Sequence, residues 1–296
     1  MNRTMIMQRT LSALVLAAAL AVPTLAVAQE HQVSPPKLKW SFSGPFGKYN
    51  EAQLQRGFKI YKEVCSVCHS MEMVAFRNLA DAGGPGYSEA QAAAVAAEYK
   101  INDIDDKGQP IERAGRPADH FPSPFPNALA AAAVHGVAPP DMSTLAKART
   151  YPRGFPWFVF DMFTQYQEQG PDYIAALLTG YKDPPKDFNL PTGGHYNEYF
   201  PGHNIAMPPP LQDGQVTFDD GSPTTVAQYS QDVAAFLMWV AEPHLTARKR
   251  IGFQVIVFLI VLSGLLYFTK KKVWKAVELH PEELTPRPPS GGEYKA

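Results

Sequence analysis

The chain has 296 residues, 45% of them hydrophobic, which is enough apolar material to bury a full core and excludes a disordered chain. Its formal charge of −1 averages over unlike stretches: residues 29–247 carry 16 Lys plus Arg against 24 Asp plus Glu, a net −8, while basic residues crowd into 248–272. An acidic body of this kind repels nucleic acid and attracts basic partners, and no glycine-rich phosphate loop or paired catalytic carboxylates point to a nucleotide enzyme.

Residues 1–28 read as a secretory signal: Arg3 and Arg9 precede a short apolar run, and Ala26, Val27 and Ala28 form a small-x-small cleavage site. Next, Gly44 and Gly47 punctuate a loop. Residues 51–64 then place Leu54, Phe58, Tyr61 and Val64 at helical spacing, with Gly57 inviting close contact from another helix. Residues 81–120 read as a surface excursion with one helical run over 88–99. Its acids Asp103, Asp105 and Asp106 form a candidate docking patch. Aromatics alternate with prolines over 121–126 and 151–157, which suits ordered loops over an apolar group.

A short helix is expected over 172–181, ending at Gly180. The spacing predicts a longer one over 225–242, with Pro223 before it and Pro243 stopping it, as the partner of the first helix. Residues 251–269 form 19 uncharged, mostly apolar positions, which as a helix rise about 28 Å and match the hydrocarbon core of a bilayer. Arg248, Lys249 and Arg250 precede this span and Lys270, Lys271 and Lys272 follow it. Orientation therefore comes from the signal, which puts residues 29–247 outside and a tail over 273–296 in the cytoplasm.

Only two cysteines exist, Cys65 and Cys68, and His69 follows them directly. Two thioethers to one haem c use both sulfurs, and the trailing histidine then reaches the iron from one face of the ring. A thioredoxin-like redox pair would want a preceding strand, where 51–64 reads as helix. A zinc site would need two further ligands at matching spacing. For the sixth iron ligand Met207 is the candidate, because Pro208, Pro209 and Pro210 hold its segment extended. Met142, which also follows prolines in a loop, is the rival. His120, His135, His195, His203 and His244 permit a bis-histidine alternative. Met71 and Met73 lie too near His69 to reach the opposite face, and Met162 and Met238 sit in apolar helical patterns.

Five blocks, FGKYNEAQLQRGFKIYKEVCSVCHSM, GVAPPDMSTLAKAR, LLTGY, YNEYFPGHNIAMPPPL and SQDVAAFLMWVAEPHLTARKRIGF, occur in the order found in one family. In them the chain resembles cytochrome c1, the haem subunit of the bacterial cytochrome bc1 complex. The resemblance implies a mainly α, cytochrome c-like haem domain with long loops over 29–247 and a transmembrane anchor over 248–272. It implies covalent haem at Cys65 and Cys68, with His69 and Met207 on the iron.

Cytochrome b and a Rieske iron-sulfur protein would be its neighbours and cytochrome c its acceptor, at a bacterial inner membrane with the haem domain periplasmic. The role would be a non-catalytic electron-transfer subunit of the ubiquinol to cytochrome c oxidoreductase. Many relatives carry an extra cysteine pair that this chain lacks. Some place an arginine ahead of the G-x-x-P-P-D stretch to face a haem propionate, where residues 128–137 hold no Lys or Arg. Lys147 or Arg149 is the candidate substitute. Two rival readings remain at this level, a haem enzyme or gas sensor with an open sixth position and a free-standing membrane-tethered shuttle.

Overall fold

In the computed structural model, residues 33–151, 156–164 and 169–279 are described; the signal over 1–28 and the tail beyond residue 279 lie outside them. Asn50 starts the first helix, its side chain accepting from Gln53 N at 2.9 Å, and α1 runs Glu51–Glu63 with Glu51 in its first turn and Lys62 in its last. Next come 3-10 turns at Cys65–Val67 and Phe76–Ala80, then α2 (Glu89–Ala97). A hairpin of β1 (Lys100–Ile104) and β2 (Pro110–Ala114) follows. Three short helices lead onward, α3 (Ala128–His135), α4 (Leu145–Ala148) and α5 (Trp157–Thr164), and then α6 (Gln169–Thr179). A two-residue pairing of β3 (His195–Tyr196) with β4 (Asn204–Ile205) precedes α7 (Val226–Ala241) and α8 (Leu245–Leu279). The fold is thus mainly helical, as the pattern of apolar spacing predicts.

Helix α7 is the centre of the first compact unit, which ends at Pro243. Residues Tyr229 to Val240 are buried apart from Gln231, and α1, α4 and α6 all pack on this helix. Gly57 permits the α1 contact: a Cβ there would fall 2.2 Å from Asp232 O and 2.5 Å from Phe236 Cβ, so only glycine lets the two backbones meet. Around the crossing the rings of Phe58, Tyr61, Phe76, Phe121 and Phe236 interlock, Phe76 and Phe121 at 4.3 Å between centroids and Phe58 and Phe236 at 5.7 Å.

Arg56 forks across the same crossing, with Nε 2.7 Å from the fully buried Asp232 and Nη1 2.7 Å from the more exposed Asp220. A second strap ties the N-terminal segment to α6: buried Asp172 accepts from Leu38 N at 3.0 Å and from Trp40 Nε1 at 2.8 Å. Asp172→Ala is expected to strand both donors and to cost about 2–3 kcal/mol. That corresponds to a fall of about 5–10 °C in the thermal midpoint of the purified protein.

The second unit begins at His244 and consists of α8 as far as it is described. Its apolar side chains, from Ile251 to Trp274, face outward, and none of the apolar window is buried. The helix is long and apolar enough to cross a bilayer, in keeping with the span predicted over 251–269.

Candidate functional site: one turn beside a proline carbonyl

Helix α1 ends by handing its last turn to the motif. Val64 N still donates to Ile60 O at 2.9 Å, and the chain then tightens so that Cys65 O accepts from both Cys68 N, at 3.1 Å, and His69 N, at 2.9 Å. One turn therefore carries both thiols and the imidazole, with Val67 between them exposed. The two sulfurs are not joined to each other. Burial, and then the neighbouring Cys68, pushes the Cys65 thiol up to about 12. A redox pair of the thioredoxin kind needs the reverse, a thiol whose anion is favoured at neutral pH.

His69 is oriented from 71 residues away. Its Nδ1 lies 2.8 Å from the carbonyl oxygen of Pro140. Because a carbonyl only accepts, this nitrogen carries the proton, and Nε2 is left with a free lone pair. Burial, which outweighs the Pro140 bond, holds the ring below the ordinary histidine range, and nearby His135 acts in the same direction. The imidazole is thus neutral and ready to donate to a metal at neutral pH.

The Pro140 loop is itself stapled down. The Asp141 carboxylate accepts from Ser70 Oγ at 2.7 Å, from Glu72 N at 2.9 Å and from Ser143 N at 2.8 Å. Met142 N donates to Ser70 O at 2.8 Å and Met73 N to Ser143 Oγ at 3.0 Å. Burial alone would raise the Asp141 carboxyl, yet these donors hold it below its usual value, so it stays an acceptor.

Met207 lies in a separate, half-buried segment after β4. Its carbonyl accepts from the Tyr181 hydroxyl at 3.0 Å, and burial followed by the neighbouring Tyr173 raises Tyr181 well above the usual phenol range, so it remains a donor. The rival Met142 is buried, and its own amide is already tied to Ser70 beside the motif. Two of the candidate histidines have partners of their own: His120 Nδ1 lies 2.5 Å from Glu72 O, and His203 Nδ1 lies 3.1 Å from Asn197 O with its ring stacked on Tyr196. His135 packs edge-on against Phe125, and His244 opens the second unit.

A family model described as the Cytochrome C1 family matches residues 40–277, from ahead of α1 into α8. The chain belongs to that family. It is 63% identical over 267 residues to a protein named cytochrome b/c1 from Bradyrhizobium diazoefficiens, covering 88% of this chain and 39% of that longer relative, so the chain spans well under half of it. It is 52% identical over 248 residues to the cytochrome c1 of Blastochloris viridis, covering 83% of this chain and 88% of the relative. It is 38% identical over 265 residues to the mitochondrial cytochrome c1 haem protein of Saccharomyces cerevisiae, covering 88% and 79%. The family resemblance carried by the five blocks is thereby established.

Sequence reasoning passed over the residues that orient this site. Pro140 acts through a backbone oxygen, and Asn197 and Tyr181 through long-range bonds, none of which leaves a spacing pattern in the chain. Of the acids in the candidate docking patch, Asp103 is paired with Arg113 at 2.6 Å, and Asp105 caps its own turn, accepting from Lys107 N and Gln109 N at 2.8 Å each.

Proposed function

We propose that the chain is the haem-carrying electron-transfer subunit of a cytochrome bc1 complex, with one haem c held covalently by Cys65 and Cys68 and its iron ligated by His69 and Met207. The observation that carries this reading is the Pro140 carbonyl on His69 Nδ1, which aims Nε2 outward from a turn already presenting both thiols. When bound, the haem supplies a reversible one-electron change at its iron. The chain's own residues do the rest: Pro140 and Asp141 fix the imidazole, the aromatic core excludes water, and the Met207 segment presents the thioether.

Met207 is favoured over Met142 because the Met142 amide is tied to Ser70 O in the same loop that brings Pro140 to His69, whereas Met207 lies on a separate segment that would be able to supply a second ligand to the iron. Lys147 is ion-paired with Glu242, which leaves Arg149 as the candidate partner for a haem propionate. The electron arrives from a Rieske iron-sulfur centre and leaves to a cytochrome c, with the haem domain periplasmic and α8 in the membrane.

The test is the optical spectrum of Met207→His beside that of the parent protein. Loss of the weak far-red sulfur-to-iron band is expected, and an unchanged spectrum would hand the ligand role to Met142 or a histidine. The net −8 body suits a basic acceptor, so electron transfer to that acceptor should slow as ionic strength rises toward 1 M, where the screening length falls to about 3 Å. A stopped-flow rate independent of salt would refute this steering.

A further inference from the structure

We propose that Tyr181 is a positioning residue for the sixth ligand, its hydroxyl clamping the Met207 carbonyl and so governing how steadily the thioether is presented. This rests on Met207 being an axial ligand and concerns how the chain keeps it in place.

The segment ahead of Met207 is anchored through Asn197, which is fully buried. Asn197 Nδ2 donates to Leu177 O at 2.7 Å, at the end of α6, while its Oδ1 accepts from Tyr199 N at 3.0 Å. Its backbone N donates to His203 O at 3.0 Å. That anchorage stops short of the ligand. Behind Met207 the chain continues as Pro208, Pro209 and Pro210, which have no N–H to give, so no tether can come from their backbone donors. Among the described residues, Met207 is held by the Tyr181 hydroxyl, which donates to its carbonyl at 3.0 Å.

Tyr181 is well placed to bear that load. It forms an isolated bridge with Asn197, and Gly180 O beside it accepts from Glu198 N at 2.9 Å. A Cβ on Gly180 would lie 2.6 Å from the Tyr199 ring, so the turn before Tyr181 closes tightly onto the same loop. Clamp and ligand segment therefore share one small framework built on the end of α6. A thioether is a weak ligand, and holding its backbone reduces the freedom it regains on leaving the metal. Without the hydroxyl, small exogenous ligands compete for the vacated position.

Tyr181→Phe keeps the ring and removes only the donor. In the full-length haem-loaded protein in detergent, Y181F should lose most of the far-red band. Its ferrous form should take up carbon monoxide where the parent protein takes up none, with the unfolding temperature staying close to that of the parent. Lys182→Ala, which breaks the Lys182–Glu198 ion pair next to that bridge, should keep the band and stay inert to carbon monoxide. The proposal is overturned if Y181F keeps the parental band and inertness, if its band disappears only with a large fall in unfolding temperature, or if K182A shows equal losses. A parent protein that itself lacks the band, or binds carbon monoxide readily, removes the Met207 assignment and the clamp with it.

Discussion

Cys65→Ser combined with Cys68→Ser is expected to yield a chain that carries no porphyrin mass once denatured, where the parent chain carries one. The reason lies in the geometry of a single turn. Cys65 O receives both Cys68 N and His69 N, so the two sulfurs and the imidazole are delivered together, and neither thiol has a second use in a disulfide. Serine keeps the size and polarity of the turn but cannot form a thioether. Each single variant should retain one bond and thus a covalently attached group, which separates attachment from folding. Mass spectrometry of the denatured, processed polypeptide reads all three outcomes. Porphyrin mass persisting in the double variant, or absent from the parent, would remove the covalent reading.

Gly57→Val should be the most damaging single change outside that turn. The added Cβ would meet Asp232 O at 2.2 Å and Phe236 Cβ at 2.5 Å, and both obstacles belong to the body of α7 rather than to a flexible side-chain end. Helix α1 would have to lift off α7, opening the ring cluster of Phe58, Tyr61 and Phe236 and pulling Arg56 away from Asp232. Overpacking typically costs about 1–3 kcal/mol, and obstacles on a helix backbone put this site at the upper end. For a domain of this size that is a fall of about 10 °C in thermal midpoint. A Gly57→Val protein that melts with its parent would show that the helices can separate without loss. Because the motif follows α1 directly, haem loading should fall in parallel.

The two long helices of the first unit were readable because their information is local. Apolar positions at three and four, with Pro223 ahead of the second helix and Pro243 as its stop, predict 51–64 and 225–242, and the structure has Glu51–Glu63 and Val226–Ala241. Gly57 was likewise legible as a contact point, since a glycine on an apolar face has few other uses. The hairpin was not. KINDI and PIERA show no alternation of strong strand formers and are mostly exposed, so they read as a loop.

What holds that hairpin is remote from pattern: Arg113 reaches Asp103 and Asp119 at 2.6 Å each, and Gly108 takes φ 77° to close the turn. The helix Ala128–His135 was missed for a related reason, because a run of alanines has no apolar face to declare. At the site, Cys65, Cys68 and His69 were legible as neighbours in sequence. Pro140 was not, because its contribution is a main-chain oxygen, and no residue type announces where a carbonyl will point.

The Arg56 fork bears on how the domain meets acid. The Asp220 carboxyl is held at about 2, first by the Ser222 amide and hydroxyl and then by Arg56. A depressed carboxylate of this sort lends its stabilisation above the unfolded value of about 4, and gives it up only as pH falls through the native one. Surroundings sour enough to neutralise ordinary surface acids therefore leave this arm of the fork charged. The loop it fastens therefore keeps its charged tie to α1 at a pH where ordinary surface carboxylates, and with them much of the net −8, are already being neutralised.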